Sequence, residues 1–188
     1  MTAFEYITVA FSFVLGFGIT RLLAACIVVF RARDRLQLHW VPFVWAAAIF
    51  VTQIQFWWAI FDLSSLLASW TLAQYLSLLA LTLLLFVAGA LILPISVDND
   101  LSSLVDDFDK NGRWALIVLG GFHVLATWAN WYFWNHSPHS LLGYLSAALL
   151  VTIALFLVSK NSAVRGFLSV AYFLQTVNAL IVFSPQAY

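Results

Sequence analysis

The sequence predicts an all-α, polytopic membrane bundle of six transmembrane helices, and three observations carry that prediction. Six long apolar stretches divide the chain, charged residues are scarce, and every Lys and Arg outside those stretches falls in alternate loops. The chain is 64% hydrophobic and 9% charged, with a mean hydropathy of +0.98. An ordinary soluble domain is about a quarter charged and its helices keep one polar face. These apolar runs are too long and too uniform for water to be their solvent. A helix rises about 1.5 Å per residue, so crossing the hydrocarbon needs about 20 residues. Spans are expected near 4–30, 40–66, 70–95, 114–134, 141–158 and 167–184, in one domain covering 1–188.

The first span carries Thr8, Ser12, Gly16, Thr20 and Ala24, each four residues after the last. Small residues at that spacing let a second helix approach closely, which is what drives association in lipid, so Ser12, Gly16, Thr20 and Ala24 are expected to form a packing seam. The second span opens with Trp40 at the interface and Pro42 in the first turn, where a missing amide donor costs nothing. Trp70 opens the third, and Pro94 lies near its end. Between the third and fourth spans lies the one sizeable loop, 97–112, with Asp98, Asp100, Asp106, Asp107 and Asp109. Leu101, Leu104, Val105 and Phe108 recur there at helical spacing, which predicts a short amphipathic helix lying on the membrane surface. Trp114 and Trp134 bracket the fourth span, while Pro138 and Pro185 fall beyond the ends of the fourth and sixth.

Orientation follows from charge. Arg31, Arg33, Arg35, Lys110, Arg113, Lys160 and Arg165 all fall in the first, third and fifth loops, and the loops between them hold no Lys or Arg. Basic loops stay cytoplasmic, so both termini are expected outside and the chain in a bacterial inner (cytoplasmic) membrane. A cleavable signal peptide is not expected, because the first stretch lacks a basic leader and is too long.

Arg21 is the one basic residue inside a span. It precedes Arg31 by ten residues, roughly 15 Å by helical rise, and its side chain leans away from that nearer interface. A charge there costs at least ~2.5 kcal/mol unless partnered. Polar stripes mark three other spans: Thr52, Gln55 and Asp62 on the second; His123, Thr127 and Asn130 on the fourth; Tyr172, Gln175 and Asn178 on the sixth. Unsatisfied polar groups are costly in lipid, so these stripes are expected to face one another. The first, second, fourth and sixth helices would then enclose a polar interior, either a bonded core or a hydrated cavity, with the third and fifth more exposed to lipid. Rings crowd the outer halves of the second and fourth spans: Trp57 and Trp58 beside Phe56 and Phe61, then Trp128 and Trp131. With Asp62 and Glu5 at similar height they offer either an interfacial belt or a wall for an organic cation.

Several chemistries lose their residues. Cys26 is the only cysteine, so no disulfide or Cys-based metal site is expected. His123 has no second His at its depth for a haem, and His136 with His139 lacks a third metal ligand. Asp107-Phe-Asp109-Lys-Asn111-Gly112 begins like a calcium loop, but its twelfth position is Val118. No cofactor or metal is therefore expected, and with zero net charge and no basic stripe neither is nucleic acid.

Three segments carry a resemblance: Leu15-Gly16-Phe17-Gly18-Ile19-Thr20-Arg21-Leu22-Leu23, the run from Gln53 through Trp57-Trp58, and the charged segment leading into Arg113-Trp114. Through them the chain resembles a group of small bacterial multi-pass integral membrane proteins to which no activity is attached. That resemblance implies location and brings no functional residue. The residues themselves point to a small channel, transporter or ligand-binding protein acting on a small molecule or ion. The alternative is a non-catalytic subunit, in a homo-oligomer or with a partner membrane protein, docking through the first helix or the acidic loop. No paired carboxylates or nucleophile–base pair stand at reactive spacing, so an enzyme is not expected.

Overall fold

The computed structural model describes residues 3–66, 71–97, 101–134, 137 and 139–183, with side chains described for 6–60, 71–97, 101–132, 137 and 139–182. The regular elements among the described residues are all helices: α1 (Ala3–Arg31), α2 (Trp40–Leu66), α3 (Leu72–Leu91), α4 (Leu104–Asp107), α5 (Arg113–Trp134), α6 (Leu141–Val158) and α7 (Ser162–Phe183). A π turn, Phe108–Gly112, joins the four-residue α4 to α5. Six of these helices are long and apolar enough to cross a membrane.

The long helices close into a ring in the order α1–α3–α5–α6–α7–α2, with α2 also touching α3. Trp45 fills the middle of the α2–α6–α7 side, fully buried, its ring 4.5 Å from Tyr172 and 5.1 Å from Phe156. Large apolar side chains also cover the outside: Phe13, Phe17, Trp114, Val124, Phe167 and Ile181 are all exposed. Only 22% to 39% of the most apolar window of each long helix is buried inside the chain. So much outward hydrocarbon is what a bundle bathed in lipid presents, and far more than monomers in water expose.

Helix ends follow local chemistry. Thr71 and Gln74 form a reciprocal capping box at the start of α3, and Ser140 caps α6. The third long helix stops at Leu91, short of the expected 95, because Pro94 restricts the residue before it. The last helix begins at Ser162, earlier than the expected 167, because the Asn161 carboxamide accepts from the amides of Ala163 (2.9 Å) and Val164 (3.4 Å). That extension brings Arg165 into the first turn of α7.

The basic loops meet at one end of the bundle. Gln37 and the segment before α4 exchange backbone hydrogen bonds (Gln37 N to Ser102 O, 2.9 Å; Leu104 N to Gln37 O, 3.1 Å). An Arg35 amine reaches the Val97 carbonyl at 3.0 Å. The expected surface helix is here a single turn, and Leu104 and Phe108 are buried against the bundle. Gly112 is required beneath that ring, since a Cβ there would lie 2.5 Å from the Phe108 side chain. Asp98 and Asp100 lie outside the described residues.

Candidate functional site

A polar seam runs along one face of α7. Arg165, Ser169, Tyr172 and Thr176 are spaced four, three and four residues apart, which stacks them over successive turns. Ser169, Tyr172 and Thr176 are no more than 2% exposed. The Ser169 and Thr176 hydroxyls donate to the carbonyls one turn back, Arg165 at 2.8 Å and Tyr172 at 2.9 Å, as hydroxyls do when a helix is buried. Tyr172 instead reaches across the ring. Its phenolic oxygen lies 2.7 Å from Nε2 of His123 on α5, and the pair is buried. His123 is ten residues past Arg113 and eleven before Trp134, midway along α5.

The walls around this pair are aromatic. Phe122 meets the imidazole edge-on at 5.4 Å, and Trp45 lies against the Tyr172 ring. Among the described residues, the buried Trp45 indole N–H meets no acceptor. A buried donor left unpaired costs about 1–3 kcal/mol, so this spot calls for a small hydrogen-bonding species. From α6, Thr152 contributes a hydroxyl that bonds Ala148 O at 2.8 Å and lies 3.4 Å from Gln175 Oε1.

One cleft lies toward each end of the bundle, and the one at the basic end includes Arg165 of the seam. At the end away from the basic loops, Thr127, Asn130, Ser137, Ser140 and Ser146 line a hollow of about 10 Å³. That is close to the least space one water needs. Thr127 stands one turn from His123 and donates to its carbonyl at 2.8 Å. At the basic end, His39, Val105, Phe108, Ser162 and Arg165 line a second cleft of about 40 Å³. There the Arg165 guanidinium is bidentate to Asp109 (Nη1 to Oδ2, 3.0 Å; Nη2 to Oδ1) and lies 4.7 Å over the Phe156 ring. The pair ties the π turn to α7 and offsets a cation in the first turn of a helix, where the macrodipole disfavours it.

A separate polar cluster lies among α1, α2 and α3. Arg21 Nη2 donates to Ala90 O at 3.2 Å, while Nη1 is buried without a partner. Among the described residues no carboxylate pairs with it. Gln53, fully buried, donates to Leu85 O at 3.2 Å and leaves its own oxygen unpaired. Its amide nitrogen occupies the room two glycines leave, 2.9 Å from where a Cβ of Gly18 would stand and 3.1 Å from that of Gly89.

The expected residues thus fall in different places. His123, Asn130 and Gln175 gather at the α5–α6–α7 side, and Arg21 sits apart with Gln53. Thr52 is buried and bonded to Ala48 O at 2.9 Å, Gln55 is half-buried, and Asn178 is exposed. Trp57, Trp128 and Trp131 are exposed and Trp58 half-buried; Trp57 donates to Ser12 Oγ at 3.0 Å and Trp128 stacks on Tyr132. Ser12 is half-buried, whereas Gly16, Thr20 and Ala24 face outward, with nothing within 4 Å of a Cβ at Gly16. The side chains of Asp62, Glu5, Phe61, Trp134 and His136 lie outside the described residues.

Sequence reasoning passed over Gln53, Trp45, Ser169, Thr176 and the Arg165–Asp109 pair. The α7 spacing was visible, but Arg165 and Lys160 read as loop charge hid its start. The middle of the third helix has almost no polar side chains, yet Leu85 and Ala90 supply carbonyl acceptors. Helical carbonyls keep a second lone pair, which hydropathy does not register.

No family model, curated protein or solved structure matches the chain. Its own geometry defines the class: an all-helical bundle with six helices long and apolar enough to cross a membrane, carrying a buried polar seam between clefts at its two ends.

Proposed function

We propose that the protein is a multi-pass protein of a bacterial cytoplasmic membrane, with its basic loops inside and both termini outside. It acts there as a small channel or transporter. The path runs between α5 and α7, walled by α2 and α6, and the Arg21 cluster stands off it. The observation that carries this reading is the buried His123–Tyr172 hydrogen bond at mid-helix, with a small cleft toward either end of the bundle. Intramembrane ionisable groups mark ion and proton pathways by default, because lipid makes them costly to keep otherwise. The test is reconstitution into liposomes and a screen of ion entry and osmotic swelling. At least one species should cross faster than through protein-free vesicles, and Tyr172→Phe should remove the excess. Equal permeability with and without protein would refute the path.

A second reading rests on α1. The Gly16, Thr20 and Ala24 ridge is turned away from the rest of the chain, as in a subunit that meets a helix of another polypeptide. Gly16→Leu should then abolish co-purification of that partner from native membranes, and a lone wild-type chain under the same extraction would dispose of it.

A further inference from the structure

We infer that the species passed along the α5–α7 seam is the proton; the inference rests on the seam being a path. The middle of the seam has no bore. Tyr172 is fully buried, His123 is 6% exposed, and Trp45 and Phe156 close in from α2 and α6. A hydrated ion or a solute would have to part these rings, while a proton needs only hydrogen bonds that can reverse. The groups present are the ones that reverse: a phenol and hydroxyls, each donor and acceptor, and an imidazole with two ring nitrogens.

The hop balances. With neutral His123 holding its proton on Nε2 toward Tyr172, a water on the outer side gives a proton to Nδ1. The imidazolium passes its Nε2 proton to the phenolic oxygen as the phenol releases its own to a water on the inner side. One proton enters, one leaves, and tautomer exchange with hydroxyl rotation resets the pair. The unpaired Trp45 indole N–H beside Tyr172 marks where that inner water is held. Ser169 follows one turn on, and Asp109, 43% exposed, meets solvent at the basic end.

Charge does not choose the species: the Arg165 guanidinium is bidentate to Asp109 and the pair offsets itself, so Na⁺ and K⁺ are barred by the closed rings and not by a fixed cation. Tyr172 is the titratable group that faces His123 from α7. The described side chains of α2, α3 and α6 carry no charge at all. Among the described residues, the charged groups lining the seam are Asp109 and Arg165, paired to each other, with the His39 ring in the same cleft.

The experiment uses the full chain in liposomes with an entrapped pH dye, a potassium gradient and valinomycin to set the voltage. Parallel arms follow potassium, chloride and glycerol in vesicles of the same preparation without valinomycin. Voltage-driven acidification above protein-free vesicles, lost in both Tyr172→Phe and His123→Gln, supports the inference. Tyr172→Phe keeps the shape of the ring, so it carries the test alone if His123→Gln misfolds. Acidification unchanged in Tyr172→Phe overturns it. Potassium, chloride or glycerol passing in a Tyr172-dependent way without protons also overturns it, and leaves the path standing. No flux in any arm ends both.

Discussion

Gly18 and Gly16 sit half a turn apart on α1 and face opposite fates. A methyl at Gly18 would press on the Gln53 carboxamide at 2.9 Å and lie 3.5 Å from the Phe86 backbone, whereas one at Gly16 meets nothing. Gly18→Ala should therefore cost roughly 1–3 kcal/mol by overpacking. Gly16→Ala should change stability by no more than about 0.5 kcal/mol. Thermal unfolding in detergent compares the two directly. Arg21 makes the complementary case. Its one bond to Ala90 O leaves a charge unmatched by any described carboxylate, so Arg21→Met should raise stability, by up to ~2.5 kcal/mol on the insertion scale. A lower melting temperature would mean that Nη1 has a partner the described residues do not include. The cost of Arg21 was legible in the sequence; Gln53 was not. It lies two residues from Gln55, on the opposite side of α2, and only the pairing of Gly18 with Gly89 across α1 and α3 says which glutamine turns inward.

Elements were legible where hydropathy decides them and obscure where caps and carbonyls do. Five of the six long helices start within a few residues of the expected places; α7 does not, because Asn161 caps it and carries its helix back past Arg165. The acidic loop was read as a surface helix on the spacing of Leu104, Val105 and Phe108. That spacing is real, but the tie to Gln37 and the Arg165–Asp109 pair draw the segment into the bundle and tighten it to one turn. The π turn then depends on Gly112. Gly112→Ala should push the buried Phe108 ring out of place and cost 1–3 kcal/mol, about as much as overpacking elsewhere in a core. Hydrogen exchange should speed up over 101–112 in that variant, while the middles of α2 and α6 remain protected. Uniform loss of protection would show that the turn holds the whole bundle, not this segment.

At the scale of the molecule, composition marked six helices long and apolar enough to cross a membrane but not their neighbours. Apolar side chains cover both the inside and the outside of these helices, so periodicity says little about which faces meet. The order α1–α3–α5–α6–α7–α2 places the polar groups of the first helix beside the third, while those of the fourth meet the sixth only across the ring, through His123 and Tyr172. One shared interior becomes two. Alternation of basic loops did survive as geometry, since Arg35, Asp109 and Arg165 knit one end together. In a Cys26→Ala background, cysteines at Arg33 and Lys160 should react with an impermeant thiol reagent only from the cytoplasmic side, and one at Ser137 only from the opposite side. Arg33 and Lys160 reacting from different sides would contradict the orientation.

The most direct test of the seam is exchange of the His123 ring proton, followed by nitrogen-15 NMR in liposomes moved into deuterated water. A seam joined to the clefts predicts that this proton is replaced while the backbone amides of Leu119 and Leu149, buried at similar depth in α5 and α6, still hold theirs. A ring proton that persists as long as those amides would mean that His123 and Tyr172 are a sealed structural pair.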